Sequence, residues 1–123
     1  MNEDYLQHVW RFSLYKINEL KTADGRALRV IYPGIHNRSS GPDFLNARIM
    51  IDNTLWVGHV EVHLRSSDWD RHGHSEDEQY NMVILHAVLT HDRDISAAGV
   101  VLPVLELGKF LDPGTYGRYV SWQ

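Results

Sequence analysis

The sequence predicts an α/β domain, bordering on α+β, in which a mixed β-sheet is flanked by helices. Three observations carry this. Residues 3–12 space their apolar side chains helically. Asn46–Ile51 and Thr54–Leu64 read as two strands joined at Asp52-Asn53. A polar connection, 65–81, then leads to the apolar run Met82–Thr90, and that length allows a crossover to a parallel neighbour.

Each element has a local reason. Tyr5, Leu6, Val9 and Trp10 share one helical face, and Glu3 and Asp4 suit its positive end. Asp24-Gly25 is a turn signal, so 17–34 is predicted as a hairpin with Ala27–Tyr32 as a strand ended by Pro33-Gly34. Residues 35–44, IHNRSSGPDF, are rich in turn formers and predict a loop. A run as apolar as Met82–Thr90 suits a strand covered on both faces. Val100–Leu107 is a further strand, and Pro103 inside it predicts an edge position.

A chain of 123 residues, 43% hydrophobic and 23% charged, fits one domain with its own core, here residues 1–123. Without cysteine there is no disulfide scaffold, no thiolate zinc site and no cysteine nucleophile. No segment nears the ~20 apolar residues of a membrane span, and the N-terminus lacks a secretory pattern, so a cytoplasmic protein without a membrane partner is expected. Net charge is −4, but its distribution is uneven. Residues 1–42 carry six Lys/Arg against four Asp/Glu, whereas 43–81 carry three against eight. Gathered carboxylates of this kind suit a solvated surface or a cation site.

Within 54–64, alternation puts Trp56, Gly58, Val60, Val62 and Leu64 on one face and Leu55, Val57, His59, Glu61 and His63 on the other. A glutamate between two histidines is costly to bury without a partner. With the turn at 52–53 and unbroken antiparallel register, residues 43–44 fall beside 61–62, so Asp43 can meet Glu61. Two converging carboxylates are what a hard divalent cation needs.

Pro42-Asp43, a hairpin, and then Glu61-Val62-His63 resemble the signature of the PD-(D/E)XK nuclease superfamily, with His63 where lysine is usual. The order of helix, strands, crossover and strand is similar to that restriction-endonuclease-like core. Over roughly residues 5–107, "HNRSSGPDFLNARI", "LWVGHVEVHLRSSDWDRHGH", "YNMVILHAV" and "LPVLEL" resemble the N-terminal region of the bacterial family called domain of unknown function 2851. Members of that family are generally much longer, which implies that this chain corresponds to an N-terminal part.

The nuclease resemblance implies that Asp43, Glu61 and the Val62 backbone carbonyl hold Mg²⁺ or Mn²⁺. It also implies that His63 orients water or stabilises charge, and that nucleic-acid phosphodiesters are hydrolysed. Histidine, with an ordinary pKa of about 6.5, supplies less fixed positive charge than lysine. Two alternatives remain open: a non-catalytic interaction or scaffold module of the same fold, and a His-rich zinc-dependent hydrolase. For the last, His59, Asp68, His72 and His74 are secondary candidates, although their spacing matches no zinc motif. The structural alternative for Glu61 is an ion pair with Arg48 or Arg65. His86 is expected to be a hydrogen-bonded core histidine, and Asp92 and Asp94 turn residues. Phosphate-binding, dinucleotide and serine-elbow motifs are absent.

Overall fold

The computed structural model describes residues 1–123 except His72, Ala98 and Gln123. It has a six-stranded mixed sheet flanked by helices, as the sequence predicts. Helix α1 (Glu3–Arg11) is capped by the Asn2 side chain, which accepts the Tyr5 N–H at 2.9 Å. Its apolar face, Tyr5, Leu6, Val9 and Trp10, is buried as expected, and the Trp10 indole donates to the Pro33 carbonyl.

Strand β1 (Leu28–Tyr32) forms where predicted, but its partner differs. It runs antiparallel to β3 (Phe44–Ile51), whereas Ile17–Glu19 is a 3₁₀ turn and only a Lys21–Ala27 bridge remains of the expected hairpin. The reason is burial. Of the predicted partner strand Leu20 is buried but Ile17 is exposed, while β3 offers Ala47, Ile49 and Ile51. Part of the predicted loop is also a strand: β2 (Ile35–His36) pairs with the start of β3.

The second hairpin stands as expected, with β4 (Thr54–Arg65) antiparallel to β3. Its register does not. It runs unbroken from Ile51↔Thr54 to Ala47↔Gly58, then slips so that Phe44 faces Val60 rather than Glu61. Asn46 sits in this bulge with φ 57°, a conformation asparagine tolerates better than most residues.

The connection carries α2 (Asp68–Arg71) and 3₁₀ turns at His74–Glu76 and Glu78–Tyr80, and it delivers β5 (Val83–Thr90) parallel to β4. The strands approach closely at Gly58, where a Cβ would lie 2.5 Å from the Ile84 Cγ2 and 2.6 Å from the Met82 carbonyl oxygen. The predicted strand 100–107 is two pieces divided at Pro103. Val100–Val101 (β7) pairs with Ser96–Ala97 (β6), and Val104–Glu106 (β8) lies parallel to β5 at the sheet edge. Proline has no N–H for the ladder, but its carbonyl serves, accepting the His86 N–H at 2.9 Å.

Helix α1 covers one face of the sheet, where its side chains join Val60, Val62, Leu85 and Ala87 in an apolar cluster. Helix α3 (Thr115–Trp122) leans on α1 through Tyr116 and Tyr119 against Tyr5. Trp69, Tyr80, Val83, Ile95 and Leu102 form a second cluster around α2. The N-terminal part of β4 projects, leaving Leu55, Trp56 and Val57 exposed, while residues 60–63 are buried on both faces. Among the described residues, no helix is long and apolar enough to cross a membrane.

Candidate metal centre

The bulge brings the end of β3 onto the middle of β4. Asp43 Oδ2 accepts the Val62 N–H at 2.8 Å, and the Asp43 N–H donates to Glu61 Oε1 at 3.1 Å. The two carboxyl groups are therefore neighbours, each near enough to shift the other's pKa. Burial is the main cause that pushes both up, Asp43 to about 8 and Glu61 to about 7, and the Glu61 charge adds to the rise at Asp43. Helix α1 joins through Gln7, whose Nε2 donates to Asp43 Oδ1 at 3.2 Å and whose Oε1 lies 3.0 Å from His36 Nε2.

Glu61 does not pair with Arg48 or Arg65. Its Oε2 lies 2.6 Å from His74 Nε2 and 3.4 Å from His63 Nε2. Glu61, His63 and His74 each present one donor atom, and the three atoms lie within 4.8 Å of one another. All three residues are buried. His74 arrives from the connection and stacks on Tyr80 at 3.8 Å, with its pKa held down chiefly by burial. Ligands on one Zn²⁺ at about 2.0–2.1 Å sit about 3.3 Å apart in a tetrahedral arrangement, so small side-chain movements bring these donors to ligand geometry. The residues fit a divalent ion.

Behind His63 stands His86, fully buried, with its Nε2 2.7 Å from His63 Nδ1. Burial pushes His86 down to about 3, so its ring is neutral and carries one proton. His86 Nδ1 is buried without a hydrogen-bond partner. An orphaned N–H is rarer than an orphaned acceptor, which places the proton on Nε2, donated to His63. His63 then presents its own N–H to Glu61. Ligation through His63 Nε2 requires the opposite tautomers, with His63 donating to His86. The pair thus sets the direction of the ring, as a metal-bound histidine's second nitrogen commonly does.

The other candidates are placed elsewhere. His59 Nδ1 accepts the Asn46 N–H at 3.1 Å and secures the bulge. Asp68 accepts the Arg65 N–H and pairs with Arg71 at 3.1 Å, which fixes the start of α2. His72 lies outside the described residues. Val62 gives Asp43 its N–H and buries its side chain under α1. Asp92 is the expected turn residue, bonded to Ser66 and Ser67. His74 was legible only as one histidine in a loose cluster, because no sequence spacing links it to Glu61 across a crossover. Nothing in the pattern of α1 marked Gln7.

Residues 3–122 match the model of a family described as Protein of unknown function (DUF2851). The chain belongs to that family. No curated protein and no solved structure matches it. What the DUF2851 chain adds to the family description is the buried cluster of one carboxylate and two imidazoles, with a second carboxylate bonded to it.

Proposed function

We propose that this DUF2851 domain is a divalent-metal-dependent phosphodiesterase on a PD-(D/E)XK-like core, with Glu61 as its pivotal ligand. The juxtaposition of Asp43 and Glu61 carries the proposal. Two carboxyl groups from adjacent strands meet in a buried site, at the cost of raised pKa values that a cation would reverse. Asp43 and Glu61 supply oxygen ligands, and the Val62 carbonyl is the third. A bound ion would supply Lewis-acid polarisation of the phosphate and of water. Gln7 and the Val62 N–H hold the Asp43 carboxylate in direction. His63, in the lysine position, is held by His86 and acts by direction rather than as a fixed cation. Imidazole beside carboxylate favours Mn²⁺ over Mg²⁺, which prefers oxygen and water.

One observation favours a second reading, a zinc-dependent hydrolase. Glu61, His63 and His74 form a Glu-His₂ set, which with an open fourth position is a catalytic zinc arrangement. The two separate by experiment. Metal content of the purified protein is measured, then cleavage of labelled DNA and RNA with added Mg²⁺, Mn²⁺ or Zn²⁺. Loss of Mn²⁺-dependent cleavage in Asp43→Asn, with activity kept in His74→Ala, supports the first reading. The reverse, with stoichiometric zinc, supports the second. Unchanged cleavage in Glu61→Ala sinks both, and a protein that binds no metal and cleaves nothing leaves the scaffold module.

A further inference from the structure

Gln7 has a second exposure. Its side chain bonds Asp43, and it also lines a cleft of about 500 Å³ between α1, the loop after β2 and α3. Arg11, Phe12 and His8 line the same cleft from α1, Arg38 from the loop and Tyr119 from α3. Asp4 is the acid on its wall. Both arginines are exposed, and among the described residues neither has a carboxylate within ion-pair distance. Their charges converge. His36, which lines the cleft and contacts Gln7, is held below the usual histidine range first by burial and then by the Arg11 and Arg38 guanidinium groups.

The aromatic groups are arranged for contact as well. Phe12 is 54% exposed, and the Arg11 guanidinium lies over its ring at 5.0 Å. Tyr119 packs by its ring against His8 at 5.0 Å. Guanidinium groups without a carboxylate partner beside a half-exposed phenyl ring suit a polyanion whose repeating units also carry flat rings. Duplex bases are stacked inward and cannot offer their faces, whereas a single strand can.

We propose, resting on the phosphodiesterase reading for the chemistry at its inner end, that this cleft is a groove for one strand of nucleic acid: Arg11 and Arg38 hold backbone phosphates, Phe12 stacks on a base, Tyr119 forms the wall opposite, and Gln7 marks the passage to Asp43. The groove places positive charge where a chain of net charge −4 would otherwise repel such a ligand. Two of the six Lys/Arg of residues 1–42, Arg11 and Arg38, are gathered here.

Binding is measured without metal, in chelator, so that no cleavage is needed to see it. The probe is a labelled single-stranded DNA of about 16 nucleotides, the upper end of the site size for such grooves, followed by fluorescence anisotropy across a salt series. Wild type should bind, and the same sequence as duplex should bind more weakly. Arg11→Ala and Arg38→Ala should each lower the salt slope by about 0.7, the share of one phosphate on a single strand. Together they should weaken binding at least about tenfold, as should Phe12→Ala. Lys109→Ala, which removes a charge on the 107–109 turn, should change neither.

No binding by wild type overturns the groove, as does equal loss of affinity in Lys109→Ala. Unchanged affinity in the Arg11/Arg38 double variant overturns it even if metal-dependent cleavage is found. Binding that needs both arginines, with no cleavage under any metal, keeps the groove and removes the phosphodiesterase reading. Should a substitution on α1 unfold the domain, Arg38→Ala on the loop decides alone.

Discussion

The two faces of the β4–β5 pair carry opposite chemistry within the same strands. Under α1 lie Val60, Val62, Leu85 and Ala87, which need only shape and exclusion of water. On the other face lie Glu61, His63 and His86, buried as deeply but in polar contact with one another, with Asp43 and with His74. The first face stabilises the fold wherever its side chains fit. The second is costly in the metal-free state, because two carboxyl groups keep a proton they would release in water. The contrast teaches that two faces of one strand pair can be equally buried while only the apolar one gains stability from burial alone.

Substitutions should separate the faces, and the largest effect belongs to the apolar one. Phe44 is fully buried in the α1 cluster, so Phe44→Ala should cost about 3–5 kcal/mol in denaturant unfolding, with or without metal. Glu61→Gln should do the opposite. Mn²⁺ or Zn²⁺ affinity by calorimetry should fall more than about 100-fold, while the metal-free protein above pH 7 melts no lower than wild type. Equal melting losses in the two variants would erase the distinction between the faces.

A smaller effect is expected one step back. His86→Phe should keep the fold and reduce metal affinity about 10–100-fold by freeing the His63 ring to turn. Unchanged affinity would make His86 a packing residue only.

Next comes the pH dependence of the metal-free protein. Asp43 and Glu61 are raised in the fold, to about 8 and about 7, so their contribution is present below the unfolded carboxylate range and lost as pH rises through 7 to 8. His86 is lowered to about 3, so its contribution is present above the ordinary histidine value and lost as pH falls towards 3. Melting temperature in chelator should therefore decline from about pH 6.5 to 8, and Asp43→Asn should flatten that limb. A rising limb there would contradict the raised carboxyl pKa values. The smallest effect is at the bulge. His59→Ala should cost about 1 kcal/mol or less and leave metal affinity untouched, because its ring serves only the Asn46 N–H.

Much of the scaffold was legible because its causes are local. The face of α1 repeats with helical spacing, the β3–β4 hairpin turns at Asp52-Asn53, and the apolar run in β5 requires cover on both sides. Pro103 announced the edge position that β8 takes, but the break at it into two short strands in different sheets was not visible. The partner of β1 was misjudged because a turn signal at Asp24-Gly25 says nothing of the competing strand that buries more apolar surface.

For the site, sequence order alone made Asp43 and Glu61 neighbours, through a hairpin whose register is nearly self-determined. It also put Glu61 and His63 on one face, since the pleat alternates strictly. The tertiary structure decided the rest. An unforeseen bulge slipped the register by one residue, yet the Asp43 N–H to the Glu61 carboxylate and the Val62 N–H to the Asp43 carboxylate kept the two side chains together. His74 reached Glu61 by a crossover, Gln7 reached Asp43 from a helix, and His86 stood behind His63 through parallel pairing. These contacts join residues far apart in the chain, where no local periodicity operates and only the packing of elements brings side chains together.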